Sequence, residues 1–261
     1  MITAYFIACV FFGSLLANAV LIRRFGFDWY LSKCPRKQVI AEGSFEDLDE
    51  VFKAGPFGIT PAAEAHFVSK GGKIILGTVK DVEAWALAVL ARKAGNIFEF
   101  GTCTGRTTYL LARNSPPDAV VTTVTLSPDV QDQYVAEQGD DAKSTKYALK
   151  ESVNATFFYS GTSVESKIKQ FFSDSKKFDE TPYVGQCDLI FVDGSHAYSY
   201  VKNDTQKALR MLKAGGLILW HDYHRVRSVL PGVYQALNEL SAQYPLKHIR
   251  ETSFVAYRKP L

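Results

Sequence analysis

The sequence predicts an α/β domain built on a mostly parallel sheet covered by helices on both faces, preceded by a membrane-spanning helix. Three observations carry that reading. From residue 81 onward, short apolar and β-branched runs alternate with segments of helical spacing. A glycine-rich turn sits directly between the first strand and the helix after it. Residues 2–22, ITAYFIACVFFGSLLANAVLI, form a run of 21 residues without a charge, long enough to cross a bilayer core as a helix.

Arg23 and Arg24 end this run, and Lys33, Arg36 and Lys37 follow, while no Lys or Arg precedes it. The positive-inside bias then places the N-terminus outside and the bulk of the chain in the cytoplasm, as a single-pass membrane protein. Ala17-Asn18-Ala19 has the small-x-small pattern of a cleavage site, but a secretory signal also needs a positive leading region, which is missing. Three regions result: an anchor at 1–24, a juxtamembrane linker and N-terminal cap at 25–79, and the α/β domain at 80–261.

In the last of these, residues 81–94 have a helical stripe of Val82, Trp85, Ala86, Val89 and Leu90, which Gly95 stops. Strands are expected at 97–100, 120–126, 156–159, 189–193 and 217–220, and helices at 106–113, 164–172 and 200–212. A helix over 231–243 begins on Pro231, which a first turn tolerates, and strands at 246–249 and 253–257 could close the sheet edge as a hairpin. The polar stretch 127–154 reads as a mobile excursion above the strand ends.

Composition excludes several classes. Thirty Lys and Arg against 27 Asp and Glu leave a net charge of +3, too small to define a nucleic-acid-binding protein. Cys9, Cys34, Cys103 and Cys187 form no CxxC pair, so neither a disulfide framework nor a zinc knuckle is expected.

The segment Glu99-Phe100-Gly101-Thr102-Cys103-Thr104-Gly105-Arg106-Thr107-Thr108 carries the most information. Gly101 lets the backbone turn and approach a ligand, and Gly105 opens a helix whose free N–H groups favour a polar or anionic group. It is neither a P-loop nor a GxGxxG dinucleotide fingerprint. A ligand-free glycine turn is the plainer alternative.

This run, IFEFGTCTGRTT, resembles the first motif of class I S-adenosylmethionine-dependent methyltransferases. The later run DLIFVDGSHAYSYVKNDTQKALRMLKAGGLILWHDY is similar to the small-molecule and sugar O-methyltransferase subgroup. The resemblance covers about residues 80–261 and implies a Rossmann-like, mostly parallel seven-stranded sheet with an antiparallel C-terminal strand. It implies S-adenosylmethionine as cofactor, with Gly101, Thr102 and Gly105 around its methionine part and Glu99 holding the turn or the amino group. Gly161, Thr162 and Ser163 would meet the adenine ring, and Asp193 would lie near the sulfonium. The sequence departs from the family at Thr125, where an acid usually holds the ribose, and at Thr162, where an Asp usually precedes Ser163.

Asp193 and His196 end one predicted strand, and His221, Asp222 and His224 end the next, so all converge on one crevice. Two accounts follow. In the first, Asp193 and Asp222, with His221 where relatives commonly have another acid, hold Mg²⁺ or another divalent metal that acidifies an acceptor hydroxyl. In the second, His196 is the general base, oriented by Asp193 or Asp222. Tyr198, Tyr200, Trp220 and Tyr223 are candidates to line the acceptor pocket. The expected activity is methyl transfer to a hydroxyl of a small molecule or of a sugar or glycan precursor. The alternatives are a non-catalytic membrane-tethered scaffold with a decayed methyltransferase fold and a nicotinamide-dependent α/β oxidoreductase.

Overall fold

Alternation along the strands sorts the core onto two faces. In β2 (Asn96–Phe100), Ile97 points to one side and Phe98 and Phe100 to the other. In β5 (Cys187–Val192) the split is Leu189 and Phe191 against Ile190 and Val192, and in β6 (Leu212–Trp220) it is Leu217 and Leu219 against Ile218 and Trp220. Both sets are buried, as a parallel sheet requires. The first face packs under α2 (Asp81–Ala91) and α3 (Arg106–Asn114), and the second under α5 (Tyr198–Met211) and α6 (Pro231–Leu240). Each fully buried Phe contributes on the order of 1.5–3 kcal/mol.

The computed structural model describes residues 40–56, 58–64, 77, 79–224 and 229–261, within the compact unit Val39–Leu261. The predicted membrane helix and most of the predicted linker lie outside these residues. No helix among the described residues is long and apolar enough to cross a membrane.

The sheet also contains β1 (Ala41–Gly43), β3 (Val120–Thr125), β4 (Ile168–Phe172), β7 (Lys247–Ile249) and β8 (Val255–Arg258), in the order β1-β7-β8-β6-β5-β2-β3-β4. It has eight strands rather than the expected seven. The added strand is β1, which pairs in parallel with β7 after the short α1 (Phe45–Leu48) region of the cap folds against that edge. As expected, β8 runs antiparallel to both its neighbours. Strand order reverses between β2 and β5, both parallel, and that is where a ligand crevice opens at the carboxyl ends of the strands.

Two other expectations are corrected. Residues 156–159 form a turn, with Ser160 N donating to Phe157 O and Thr162 N to Tyr159 O. Within it, the Phe157 and Tyr159 rings stack 5.3 Å apart. Residues 168–172, expected within a helix, form edge strand β4 in parallel register with β3. Val164, Ile168 and Phe171 satisfy helical spacing, but the half-exposed edge strand carries no clean alternation to oppose it.

The polar excursion over 127–154 is an ordered roof. It contains α4 (Ala142–Glu151), capped by Asp141 accepting from Ser144 N. Asp140 accepts from the backbone and side chain of Ser199, Tyr134 Oη meets Ser195 Oγ at 2.8 Å, and the Tyr134 and Tyr200 rings stack 4.4 Å apart.

Candidate active site

The strand register continues one step past the strand ends and assembles the site. Phe100 pairs with Val192, and Val192 with Trp220. Asp193 N then donates to Phe100 O at 2.9 Å and His221 N to Val192 O at 3.1 Å. Gly101, Asp193 and His221 are thus adjacent by construction, and the strand alternation sends Glu99, Asp193 and His221 toward the sheet face covered by α2 and α3.

Gly101 has φ +100°, and a Cβ there would lie 2.1 Å from the Asp193 carbonyl oxygen. Its lack of a side chain lets the turns after β2 and β5 touch. Gly105, φ +75°, opens α3 against Phe157 and Tyr159, with a Cβ reaching 2.7 Å from Phe157 Cβ. Thr102 Oγ1 meets Thr123 Oγ1 at 2.7 Å. Glu99 is fully buried, accepting from Thr108 Oγ1 and Thr123 Oγ1, while its Oε1 has no partner among the described residues. Burial pushes its carboxyl up to about 7.

A cleft of about 500 Å³ opens over these turns, lined by Gly101, Cys103, Thr125, Tyr134, Glu151 and Asp193 among others. Thr125 stands in the cleft wall, where the sequence placed it. Thr162 and Ser163 do not line the cleft; they lie on the turn before β4, where Thr162 Oγ1 donates to Tyr159 O. Ser173 and Ser175, in the segment after β4, line the cleft wall instead. The error follows from taking 156–159 as the strand. With the strand at 168–172, the pair that follows it is Asp174-Ser175.

At the other end of the crevice His221 bridges two carboxylates: Nδ1 lies 2.9 Å from Asp193 Oδ1 and Nε2 lies 3.2 Å from Glu83 Oε2. As an imidazolium, His221 donates to both carboxylates. Burial opposes that charge, but Asp193 and Asp222 outweigh it and hold the ring well above the ordinary histidine range. Glu83, on α2, is fully buried and also accepts from Ser253 N and Oγ and from Lys80 N. Burial penalises its charge, but the His221 contact and these donors outweigh that penalty and hold it at about 2.

His196 Nε2 pairs with Asp222 Oδ2 at 2.9 Å. Burial disfavours the charged ring, but Asp222 and the other carboxylates nearby raise it to about 9. Asp222 sits at φ +60°, a left-handed conformation for a non-glycine residue. Burial opposes its ionisation too, and the two imidazoles hold it well below the usual carboxylate range. Of the aromatic candidates, Tyr200 lines the cleft. Trp220 is core, its Nε1 donating to Thr205 Oγ1; Tyr198 donates to Glu239, and Tyr223 is buried with its hydroxyl donating to Asn238.

Sequence reasoning missed Glu83, Glu151 and Tyr134. Glu83 had a readable signal, a carboxylate at helical spacing with the buried Leu87 and Leu90. Glu151 and Tyr134 belong to the roof, whose polar sequence gave no periodicity to place them.

The methyltransferase-domain family matches residues 98–223, from within β2 to just past β6. Over those residues, just under half of its length, the chain carries a methyltransferase domain. Three solved structures show how distant its structural likenesses are. The O-methyltransferase TomG from Streptomyces achromogenes, involved in tomaymycin synthesis and solved with S-adenosylmethionine, is 17% identical over 70% of this chain and 82% of its own, with a TM-score of 0.46. Cofactor-bound Rv0187 from MTB is 18% identical over 75% and 87%, at 0.47. Podospora anserina methyltransferase PaMTH1, bound to S-adenosylhomocysteine, is 19% identical over 70% and 79%, at 0.47. These scores add no argument to the family match. No curated protein matches the chain at a significant level.

The methyltransferase cleft fits the cofactor on one structural observation, the buried and unpartnered Glu99 Oε1 beneath the glycine turn. The metal expectation fares differently. The donors that come together are Asp193, His196 and Asp222, one atom from each within 4.8 Å of the others. His221 is not among them, and both its ring nitrogens contact carboxylates. Each donor is already charge-paired with an imidazole or a carboxylate, and one of the three is an imidazole, which suits softer ions. This set does not fit Mg²⁺.

Proposed function

We propose that the methyltransferase domain moves a methyl group from S-adenosylmethionine to a hydroxyl of a small molecule, such as a sugar or glycan precursor, without a metal ion. The observation that supports this best is the junction of Gly101 and Asp193, which joins the cofactor turn to the Asp193, His196 and Asp222 cluster in one crevice.

The cofactor, when bound, supplies an activated methyl group on a sulfonium centre. The chain's own residues have three tasks. Gly101, Thr102 and Gly105 shape the cradle, Ser173 and Ser175 border the far end, and Thr125 offers a single hydroxyl where relatives offer a carboxylate. Tyr134 and Tyr200 form the roof that excludes water. Asp193 and His196 meet the acceptor hydroxyl. At pH 7 His196 is a charged donor to Asp222, and it becomes a proton acceptor as the pH approaches 9.

Methyl transfer to a panel of hydroxylated small molecules, followed as S-adenosylhomocysteine formation, is therefore expected to rise with pH toward about 9. His196→Ala should lower it roughly 10²- to 10⁴-fold and abolish that inflection. A flat profile with full activity in the variant would remove His196 from the reaction. Failure of any acceptor despite cofactor binding would favour the scaffold reading that Thr125 motivates.

The membrane reading rests on the sequence of residues 2–22 and the basic residues after them. It places the domain on the cytoplasmic side as a single-pass protein. The full chain should stay in the membrane pellet through alkaline carbonate extraction, with the domain open to protease from the cytoplasmic side; release into the supernatant would overturn it.

A further inference from the structure

Glu151, the last residue of α4, is a carboxylate with no assigned role. It lines the cleft together with Gly101, Cys103 and Asp193. Among the described residues nothing hydrogen-bonds it or pairs with it. The other carboxylates around the crevice have partners: Glu83 and Asp193 hold His221, Asp222 holds His196, Asp174 accepts from Tyr200 Oη, Asp204 accepts from Asn203 Nδ2, and Glu99 accepts from Thr108 and Thr123 on one of its two oxygens. Gly101 and Cys103 belong to the glycine turn and Asp193 to the end of β5, so the cleft wall that Glu151 shares joins both. Glu151 therefore stands between the cradle for the methionine part and the cluster that meets the acceptor.

We propose that Glu151 is the carboxylate that faces the cofactor's sulfonium and makes the cleft prefer the cationic substrate, S-adenosylmethionine, over the neutral product, S-adenosylhomocysteine. This deepens the cofactor reading and rests on it. A cation beside an otherwise unpaired, partly desolvated carboxylate gains a charge interaction that a neutral thioether lacks. The sulfonium charge is dissipated as the methyl group leaves. The contact thus strengthens substrate binding and eases product release, and does not accelerate the chemical step.

The pH dependence gives a specific signature. Burial, which outweighs the attraction of His196 and His221 and is reinforced by Asp193 and Asp222, pushes Glu151 up to about 7. The other groups around it are Cys103, held protonated with its thiol up at about 12, Asp204 across the cleft at about 6, and Lys150 on its own helix. Binding a cation favours the ionised carboxylate, so affinity for S-adenosylmethionine should rise as the pH rises through 7. Glu99 also titrates near 7, but it acts on the part common to both nucleosides, so the ratio of their dissociation constants cancels it.

The experiment is calorimetric titration of the full chain with each nucleoside at pH 6, 7 and 8, in wild type and Glu151→Gln. In the wild type, the preference for S-adenosylmethionine should grow severalfold to tenfold from pH 6 to pH 8. In the variant it should be about tenfold weaker at pH 8 and independent of pH, with S-adenosylhomocysteine affinity changed less than twofold. A preference independent of pH in the wild type, or one retained unchanged in the variant, overturns the proposal. The wild-type profile decides alone if the variant does not fold. Absence of binding by either nucleoside overturns the cofactor reading itself, a different outcome from loss of the preference.

Discussion

Gly101→Ala is expected to destabilise the domain by about 4 kcal/mol or more, combining left-handed strain with overpacking. The added carbon would sit 2.1 Å from the Asp193 carbonyl oxygen and 2.6 Å from its carbon, and both are backbone atoms that no rotamer change can move aside. The turns after β2 and β5 would have to separate, taking the cofactor cradle away from Asp193. Thermal unfolding of the two proteins checks this. Gly161→Ala is the matched control, because Gly161 also has positive φ, +73°, but nothing lies within 4 Å of its added carbon. It should lose only the backbone strain, on the order of 1 kcal/mol. Equal losses at the two positions would show that the crossing does not constrain Gly101.

Glu83→Gln should cost about 3–5 kcal/mol, the range for removing one partner of a buried ion pair. For a domain of this size that lowers the melting temperature by about 10 °C. The glutamine keeps the shape but leaves the His221 imidazolium with one fewer counter-charge in a buried site. The pH dependence has a definite sign. Glu83 is held at about 2, below its ordinary value, so its contribution is present above pH 4.5 and is lost as the pH falls toward 2. His196 is raised to about 9, so the contribution of its pair with Asp222 is full below pH 6.5 and is lost as the pH rises through 9. Wild type should lose stability at both extremes, and Glu83→Gln should show a weaker acid limb. An unchanged acid limb would mean that Glu83 is not the group holding His221.

Much of this arrangement was legible in the sequence because the sheet is buried on both faces. Strands β2, β3, β5 and β6 are runs whose apolar content leaves few alternatives, and parallel pairing then brings Gly101, Asp193 and His221 together without further information. The glycine turn was legible for the same reason: Gly101 is required by a backbone contact, not by a side chain. What escaped lies where burial is partial. Edge strand β4 has one exposed side and matches helical spacing, which puts Thr162 and Ser163 at the expected strand end, whereas Ser173 and Ser175 line the cleft. The roof with Tyr134 and Glu151 is held by side-chain hydrogen bonds such as Asp140 to Ser199, which leave no periodic trace. His221 read as a metal ligand because its partner, Glu83, is 138 positions away in sequence.

The most direct test of the account is hydrogen exchange of the full chain with and without S-adenosylmethionine. Binding in the crevice predicts slowed exchange over residues 101–106, 148–152 and 173–175, with the far strand ends around Gly215 unchanged. Absence of protection at saturating nucleoside, or protection that leaves 101–106 untouched, would contradict a cofactor site built on the Gly101 and Asp193 junction.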